Sequence, residues 1–398
     1  MHDLSLFTHA DVRWAAQNMP LLLDTDLTPL NGLRIAICLH IEPKTAVLCA
    51  LLIEAGAEVW LTGSPGTTRQ DVADWLITLG VHVRAAADDD APRLEDVLSC
   101  DPHLVLDNGA DLIRALLDKG LPADFLGGTE ETTTGALLLR QREDQPRFPV
   151  IVINDSYLKL LVENRWGVGQ SVVQGFMNAT NRMIPGARAT VAGYGPCGRG
   201  VAQTLRQLGA RVSVADLDPY RRLEAALDGH QVGRLDTLLA ETELLFLATG
   251  QPDVITDEGI AALPDNSVIA GVGHYPWELD LRRLGPPTRL GARSGGSVTD
   301  PAASAAVAVD ERSARLTALH ETYEQPDGRR ITVLAQTRMI NLVSAGGNPI
   351  EAMDLGLTLQ ARSLALVATG AAAPGVQAVP QELDREIAET FAATLEMS

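Results

Sequence analysis

The chain has 398 residues, 51 of them acidic and 32 basic, for a formal charge of −19. That length is too great for one ordinary core and calls for two domains, and the acidic surplus excludes a role built on phosphate-backbone contacts, leaving a small-molecule partner rather than a nucleic acid. Four cysteines (Cys38, Cys49, Cys100, Cys197) without CxxC spacing exclude a disulfide framework and a zinc site, so no metal is expected.

In chain order, Met1-His2-Asp3-Leu4-Ser5 shows no charged leader ahead of an apolar core, and no apolar run reaches eighteen residues. A cytoplasmic protein with no membrane partner is expected. Residues 33–39 read as a strand, 45–55 as a helix and 58–62 as a strand, and the cycle repeats with strands at 103–106, 149–153, 189–192, 211–215, 244–248, 267–270 and 330–335. Apolar strands alternating with helices imply parallel sheets. The segments 88–90 and 325–328 read as solvated turns, and 170–182 and 348–368 as helices joining two halves.

The strongest local motif is Gly193-Tyr194-Gly195-Pro196-Cys197-Gly198, which follows one strand and opens a helix. Gly193 permits a tight turn, Gly195 lets the backbone approach a pyrophosphate, and Gly198 allows close packing, with the phosphates at the positive end of the helix. The next strand ends at Asp216, an acid placed to accept hydrogen bonds from ribose hydroxyls and to repel a 2′-phosphate. NAD is the cofactor expected. A glycine loop does not name a reaction, so the rest of the chain must supply the chemistry.

Five further segments carry it: Cys38-Leu39-His40, Leu106-Asp107-Asn108-Gly109-Ala110-Asp111, Glu130-Glu131-Thr132-Thr133-Thr134-Gly135, Asn154-Asp155-Ser156 with Lys159, and Gly273-His274-Tyr275. Together with the glycine loop, Thr249-Gly250-Gln251-Pro252 and Asn341-Leu342, they resemble, in order, the signature blocks of the adenosylhomocysteine hydrolase family over roughly residues 9–390. The resemblance implies an α/β fold of two Rossmann-like, doubly wound parallel-sheet domains with a cleft between them that holds the sugar. Residues 1–169 and 347–376 would form a discontinuous substrate domain, 170–346 the NAD-binding domain and 377–398 a short C-terminal segment. It also implies a homo-oligomer, a dimer or a tetramer.

By the same resemblance, bound NAD oxidises the 3′ hydroxyl of a nucleoside sugar, the 4′ hydrogen becomes acidic, a 5′ substituent leaves by β-elimination, and the ketone is reduced again. Lys159 would take the 3′ hydroxyl proton, a role that asks for a lysine of lowered pKa. Glu131 would hold the sugar hydroxyls, and Thr132, Thr133 and Thr134 would bridge substrate and nicotinamide, although threonines after acids also read as a helix cap. Asp107, His40 and His274 would move protons at the 4′ and 5′ positions. Asn164 and Asn341 would fix the nicotinamide amide, and Thr249 and Gly250 would line the cofactor site with Gly193, Gly195, Pro196, Cys197, Gly198 and Asp216.

The chain also departs from the family's pattern. Glu163 stands where an aspartate is usual, Val168 where a cysteine is usual, and the base-side block reads His40-Ile41-Glu42-Pro43-Lys44-Thr45 in place of His-Met-Thr-Val-Glu-Thr. Gly347-Asn348-Pro349 replaces Gly-His-Pro, and the sequence stops at Ser398 without the family's Lys/Tyr-rich tail. Glu42, Lys44 and Asn348 are therefore candidate substrate contacts that re-aim specificity. The kept set favours a nucleoside dehydratase of natural-product biosynthesis over a true S-adenosyl-L-homocysteine hydrolase. A non-catalytic NAD-binding regulator is the alternative of another class, and a dehydrogenase releasing NADH would leave the elimination residues without a purpose.

Overall fold

The computed structural model describes residues 4–63, 67–85, 93–273, 275–288 and 319–396. Two compact units result, Met1–Glu163 with Pro349–Ser398, and Asn164–Asn348. The sequence reading puts the changeovers at 169/170 and 346/347, whereas the contacts change over at 163/164 and 348/349, and residues 377–398 group with the first unit.

The strands of the first unit are β1 (Arg34–Leu39), β2 (Glu58–Gly63), β3 (His82–Val83), β4 (Leu104–Asp107), β5 (Gly127–Glu130) and β6 (Pro149–Val152); those of the second are β7 (Arg188–Ala192), β8 (Arg211–Ala215), β9 (Gln231–Val232), β10 (Leu244–Leu247), β11 (Ser267–Gly271), β12 (His320–Glu324) and β13 (Arg330–Leu334). The last strand, β14 (Gly375–Ala378), returns to the first unit.

The first sheet has the order β14-β6-β5-β4-β1-β2-β3 with every pair parallel. Ile35 and Ile37 of β1, Leu104 and Leu106 of β4 and Leu61 of β2 are fully buried, as are Leu48 and Leu52 of the helix Pro43–Glu54. Each such side chain contributes roughly 1.5–3 kcal/mol. Cover on both faces explains why these strands read as continuous apolar runs rather than as alternation. The Gly-Gly-Thr-Glu sequence of β5 gave no strand signal, because glycine is depleted in strands. Its place between β4 and β6 nevertheless needs glycine: a Cβ on Gly128 would stand 2.3 Å from the Val105 carbonyl oxygen.

The second sheet has the order β12-β13-β11-β10-β7-β8-β9. It is parallel except at its edge, where β12 and β13 form an antiparallel hairpin with Glu324 opposite Arg330. The turn read at 325–328 closes this hairpin, with the Gly328 amide donating to the Gln325 carbonyl at 2.9 Å. The turn read at 88–90 lies outside the described residues.

In each sheet the order places side by side two strands whose following connections diverge, β1 and β4 in the first and β7 and β10 in the second. Loops beyond such a pair open a crevice at the carboxyl ends of the strands, the usual ligand position in doubly wound sheets. The chain passes out of the first unit through a π-helical stretch, Leu160–Gly167, which continues as the α-helix Val168–Thr180, and it re-enters at Pro349 ahead of the helix Ile350–Ala368. Both readings of a helix here were therefore right in kind and a few residues off in extent. No helix among the described residues is long and apolar enough to cross a membrane.

Candidate functional site

Ser156 caps the one-turn helix Tyr157–Lys159 by accepting the Lys159 amide at 3.0 Å, and this turn carries the Lys159 side chain inward, where the residue is 2% exposed. The ammonium donates to Glu131 and lies 3.3 Å from Glu163 Oε2. Burial alone disfavours the ammonium, but the two carboxylates outweigh it and hold the lysine above its ordinary value. The expected lowering is thus corrected: among the described residues the charges that shift this lysine are two negative ones, and they oppose burial. Gln360, fully buried on the helix Ile350–Ala368, donates its side-chain amide to the other oxygen of Glu131. Gly356 on the same helix leaves room for Glu163, since a Cβ there would stand 2.2 Å from Oε2. Neither residue stands out in sequence, because the helix phase that aims them at a carboxylate is set by packing.

At the β1/β4 crevice, His40 and Asn108 follow the two strands directly. The His40 ring places Nε2 3.3 Å from the Asn108 amide nitrogen and Nδ1 2.6 Å from the Thr67 hydroxyl. Of the two residues at the end of β4, Asn108 rather than Asp107 meets the His40 ring. Asp107 is fully buried, with one oxygen accepting the Asn108 amide at 3.0 Å and the other the Ile113 amide at 2.8 Å. Its register partner Glu130 is equally buried and accepts from the amides of Gly109 (3.0 Å), Ala110 (2.8 Å) and Thr132 (2.7 Å) and from the Thr132 hydroxyl (2.6 Å). Burial raises both acids; Asp111 raises Asp107 further, and Asp107 raises Glu130. Glu130, part of a signature block but given no role of its own from sequence, ties the loops after β4 and β5 together. Replacing Glu130 with alanine strands those donors and is expected to cost about 3 kcal/mol in urea unfolding; an unchanged midpoint would show that the loops hold without it.

Thr132 caps the helix Thr133–Gln141 by accepting the Gly135 amide at 2.9 Å, the structural role the threonine run allowed. Thr133 accepts from the Asn154 side chain, and Thr134 is half-buried in the first turn. Glu42 and Lys44 satisfy each other: Glu42 caps the helix Pro43–Glu54 and pairs with the Lys44 ammonium at 2.7 Å, both residues being buried. His274 lies outside the described residues.

In the second unit the glycine loop joins β7 to the helix Pro196–Gln207. Gly193 has φ +96°, and a Cβ on Gly198 would stand 2.0 Å from the Gly193 carbonyl oxygen, so the turn and the helix close on each other only with glycine at both places. Around Gly195 the space is open, with only the Arg221 side chain approaching a Cβ position, at 3.8 Å. Pro196 is the first helical residue and Cys197, half-buried, the second. Asp216 directly follows β8 and accepts the Tyr194 amide at 2.6 Å, which fixes its carboxylate at the mouth of the loop. Across the switch point, Thr249 and Gly250 follow β10, and the buried Glu278 accepts both their amides (2.9 and 3.2 Å) and the Thr249 hydroxyl. Glu278 had no sequence signal, as it lies far along the chain from the loop it shapes.

Asn341 donates to Ser171 Oγ at 3.3 Å and to Asn348 Oδ1 at 3.2 Å, and Ser171 donates to the same Asn348 oxygen at 3.0 Å. Asn341 is 6% exposed, and its own Oδ1 is buried without a partner among the described residues. An orphaned carbonyl oxygen, a helix N-terminus with open space at Gly195 and an acid at the ribose position suit a dinucleotide, the orphan matching the carboxamide N–H of nicotinamide. Asn164 is half-buried and opens this unit. Replacing Asn341 with alanine is expected to weaken NAD about tenfold by calorimetry, the worth of one buried hydrogen bond; undiminished affinity would remove Asn341 from the site.

The sequence matches two family descriptions, S-adenosyl-L-homocysteine hydrolase over residues 2–124 and its NAD binding domain over residues 164–291. It is 37% identical to a protein of Methanopyrus kandleri named S-inosyl-L-homocysteine hydrolase, covering 95% of this chain and 88% of that one. It is also 37% identical to proteins named adenosylhomocysteinase from Sulfurisphaera tokodaii, covering 97% and 92%, and from Archaeoglobus fulgidus, covering 90% and 86%.

Proposed function

The chain belongs to the S-adenosyl-L-homocysteine hydrolase family and is an NAD-dependent enzyme, and from that premise we propose that it works on the sugar of an adenine-type nucleoside as a dehydratase of nucleoside natural-product biosynthesis, by oxidation at 3′, elimination across 4′ and 5′, and reduction. The observation that carries the reading is the Lys159 ammonium set against Glu131 and Glu163. Bound NAD supplies the reversible oxidation of the 3′ hydroxyl.

Glu131, oriented by Gln360, accepts hydrogen bonds from the sugar hydroxyls. Because the carboxylates favour the ammonium, Lys159 takes the 3′ proton only after passing its own to Glu163, 3.3 Å away. The pair therefore acts as a relay rather than as a lone base. A 3′ ketone acidifies the 4′ hydrogen; once that proton is removed, the hydroxymethyl oxygen leaves with a proton as water. His40, braced by Thr67 and Asn108, is the group placed to hold that proton. Reduction before water returns leaves an exocyclic double bond between C4′ and C5′, a net loss of one water.

Dehydration is favoured over hydrolysis because the proton-moving set is kept while the base-side segment is changed to a Glu42–Lys44 pair that neutralises itself. The second reading is hydrolysis of S-adenosyl- or S-inosyl-homocysteine, after the activities named for the relatives. Mass spectrometry after incubation with adenosylhomocysteine, its inosyl counterpart and a panel of purine nucleosides decides between them. A loss of 18 mass units from a nucleoside, with no net absorbance gain at 340 nm, supports dehydration; release of homocysteine establishes hydrolysis instead.

A further inference from the structure

Within the unit Asn164–Asn348, the side chains of Arg165, Gln203, Arg206, Gln207, Asp228 and His230 enclose a cavity of about 340 Å³. That volume lies at the small end of the range for ligand sites. Its charge is of the uncommon sign on a chain of formal charge −19. Arg165 donates Nε and Nη2 to the Gln203 side-chain oxygen, at 3.2 and 3.0 Å, and lies over the Trp166 ring at 5.3 Å. Arg206 donates Nη1 to the Asp228 carbonyl. Those partners are neutral, and among the described residues neither guanidinium has an anion of its own. Arg165 is also held in place: a Cβ on Gly200 would stand 1.8 Å from its carbonyl oxygen, so the backbone packs directly on the helix Pro196–Gln207.

The remaining wall comes from the tyrosine inside the glycine motif, a residue the cofactor reading leaves without a side-chain role. Tyr194, 2% exposed, donates its hydroxyl to Asp228 at 2.8 Å and meets the His230 ring edge-on at 5.7 Å between centres. Asp228 is further matched by Arg199 at 3.1 Å, and Arg199 also pairs with Glu224. Arg165, Arg199 and Arg206 thus stand against Asp228 and Glu224, which leaves the cluster positive. His230 is 8% exposed, and its Nδ1 is buried without a partner among the described residues. Burial and the neighbouring Arg206 hold the ring below its ordinary value, so it is neutral at pH 7 and carries one N–H. With Nδ1 shut off from any acceptor, that proton belongs on Nε2.

We propose that this cavity binds a small phosphate monoester, about the size of a pentose phosphate, at a site separate from both the cofactor cradle and the Lys159 cluster. Two guanidinium groups and an imidazole N–H offer more donors than a planar carboxylate has oxygens to accept, and they suit the three oxygens of a tetrahedral dianion. The Gln207 amide and the Asp228 carboxylate suit the hydroxyls of the attached sugar. The cradle lies at the first turn of the helix Pro196–Gln207 and Arg206 in its last, about 13 Å away at 1.5 Å per residue, and Lys159 belongs to the other unit. The site therefore stands whether the reaction is dehydration or hydrolysis.

The test uses the full chain loaded with NAD. In calorimetry at 50 mM NaCl, ribose 5-phosphate is expected to bind once per chain, ribose not at all, and succinate at least fivefold more weakly than the phosphate. Raising NaCl to 500 mM is expected to weaken the phosphate about tenfold, since part of the site is exposed to screening. Arg206→Gln, at the surface, is expected to cost about tenfold in affinity with bound NAD and circular dichroism unchanged. His230→Phe keeps a ring against Tyr194 while removing the N–H, and is expected to cost several-fold. Absence of binding overturns the proposal, as does an affinity unchanged by both variants or succinate binding more tightly than the phosphate. Binding that appears only after NAD is stripped also overturns it, because the phosphate would then be occupying the cofactor's own place.

Discussion

Replacing Lys159 with methionine lowers kcat by about 10³–10⁴-fold while the protein keeps its NAD, because the variant loses the group that handles the 3′ hydroxyl proton but nothing in the second unit. The lysine and its two carboxylates are buried together, so methionine also leaves Glu131 and Glu163 facing each other without a cation. Lys159→Arg separates the two effects. It keeps a positive charge, which holds the fold, yet it cannot lose a proton in the working range, so it should be folded and equally inactive. Single-turnover mixing with a nucleoside substrate, followed at 340 nm, reads the oxidation step directly. Full oxidation in either variant would remove Lys159 from proton transfer and leave it as a counter-ion to Glu131.

The sign of the Lys159 shift gives a companion expectation. Its folded value is raised, so the stability it contributes is fully present below the unfolded lysine value of about 10.4 and is lost only as pH rises through the folded value. Between pH 6 and 9 its resting charge does not change. A pH–rate profile is therefore expected to show no limb from Lys159 in that range.

The second large effect is at Gly198. Valine there would drive a Cβ to 2.0 Å from the Gly193 carbonyl oxygen, so the helix Pro196–Gln207 and the turn before it cannot both keep their places. Bound NAD, measured by release on acid denaturation and by calorimetry of the apo protein, is expected to fall at least a hundredfold. A backbone cradle has no side chain to compensate for a shift of the amides that meet a pyrophosphate. The Lys159 cluster belongs to the other unit and should survive, which makes Gly198→Val a test of the cofactor site alone. Undiminished NAD content in a folded Gly198→Val variant would sink the cradle assignment.

Much of this protein is written in local pattern. Strand-length apolar runs alternating with helices gave the parallel α/β class, since covering a sheet on both faces forces continuous hydrophobic strands. The glycine loop, β8 and Asp216 stand at fixed spacing because a tight turn, a helix N-terminus and a ribose-facing acid are all set by short-range backbone geometry. The family blocks added the order of the chemistry, and the matches across the chain bear out the family, the fold class and NAD.

What the tertiary structure decided lies wherever a side chain's environment comes from distant elements. The Gly-Gly-Thr-Glu strand β5 is a strand only because β4 and β6 enclose it. Asp107 and Asn108 are adjacent in sequence, yet strand alternation sends one into backbone caps and brings the other to His40. The role read for Lys159 asks for a lowered pKa, but Glu131 reaches it from 28 residues away and Glu163 from the next helical turn, and two charges in a low-dielectric site outweigh desolvation. Glu278, Gln360 and Gly356 became visible for the same reason: sequence specifies which groups exist, and packing specifies which of them meet.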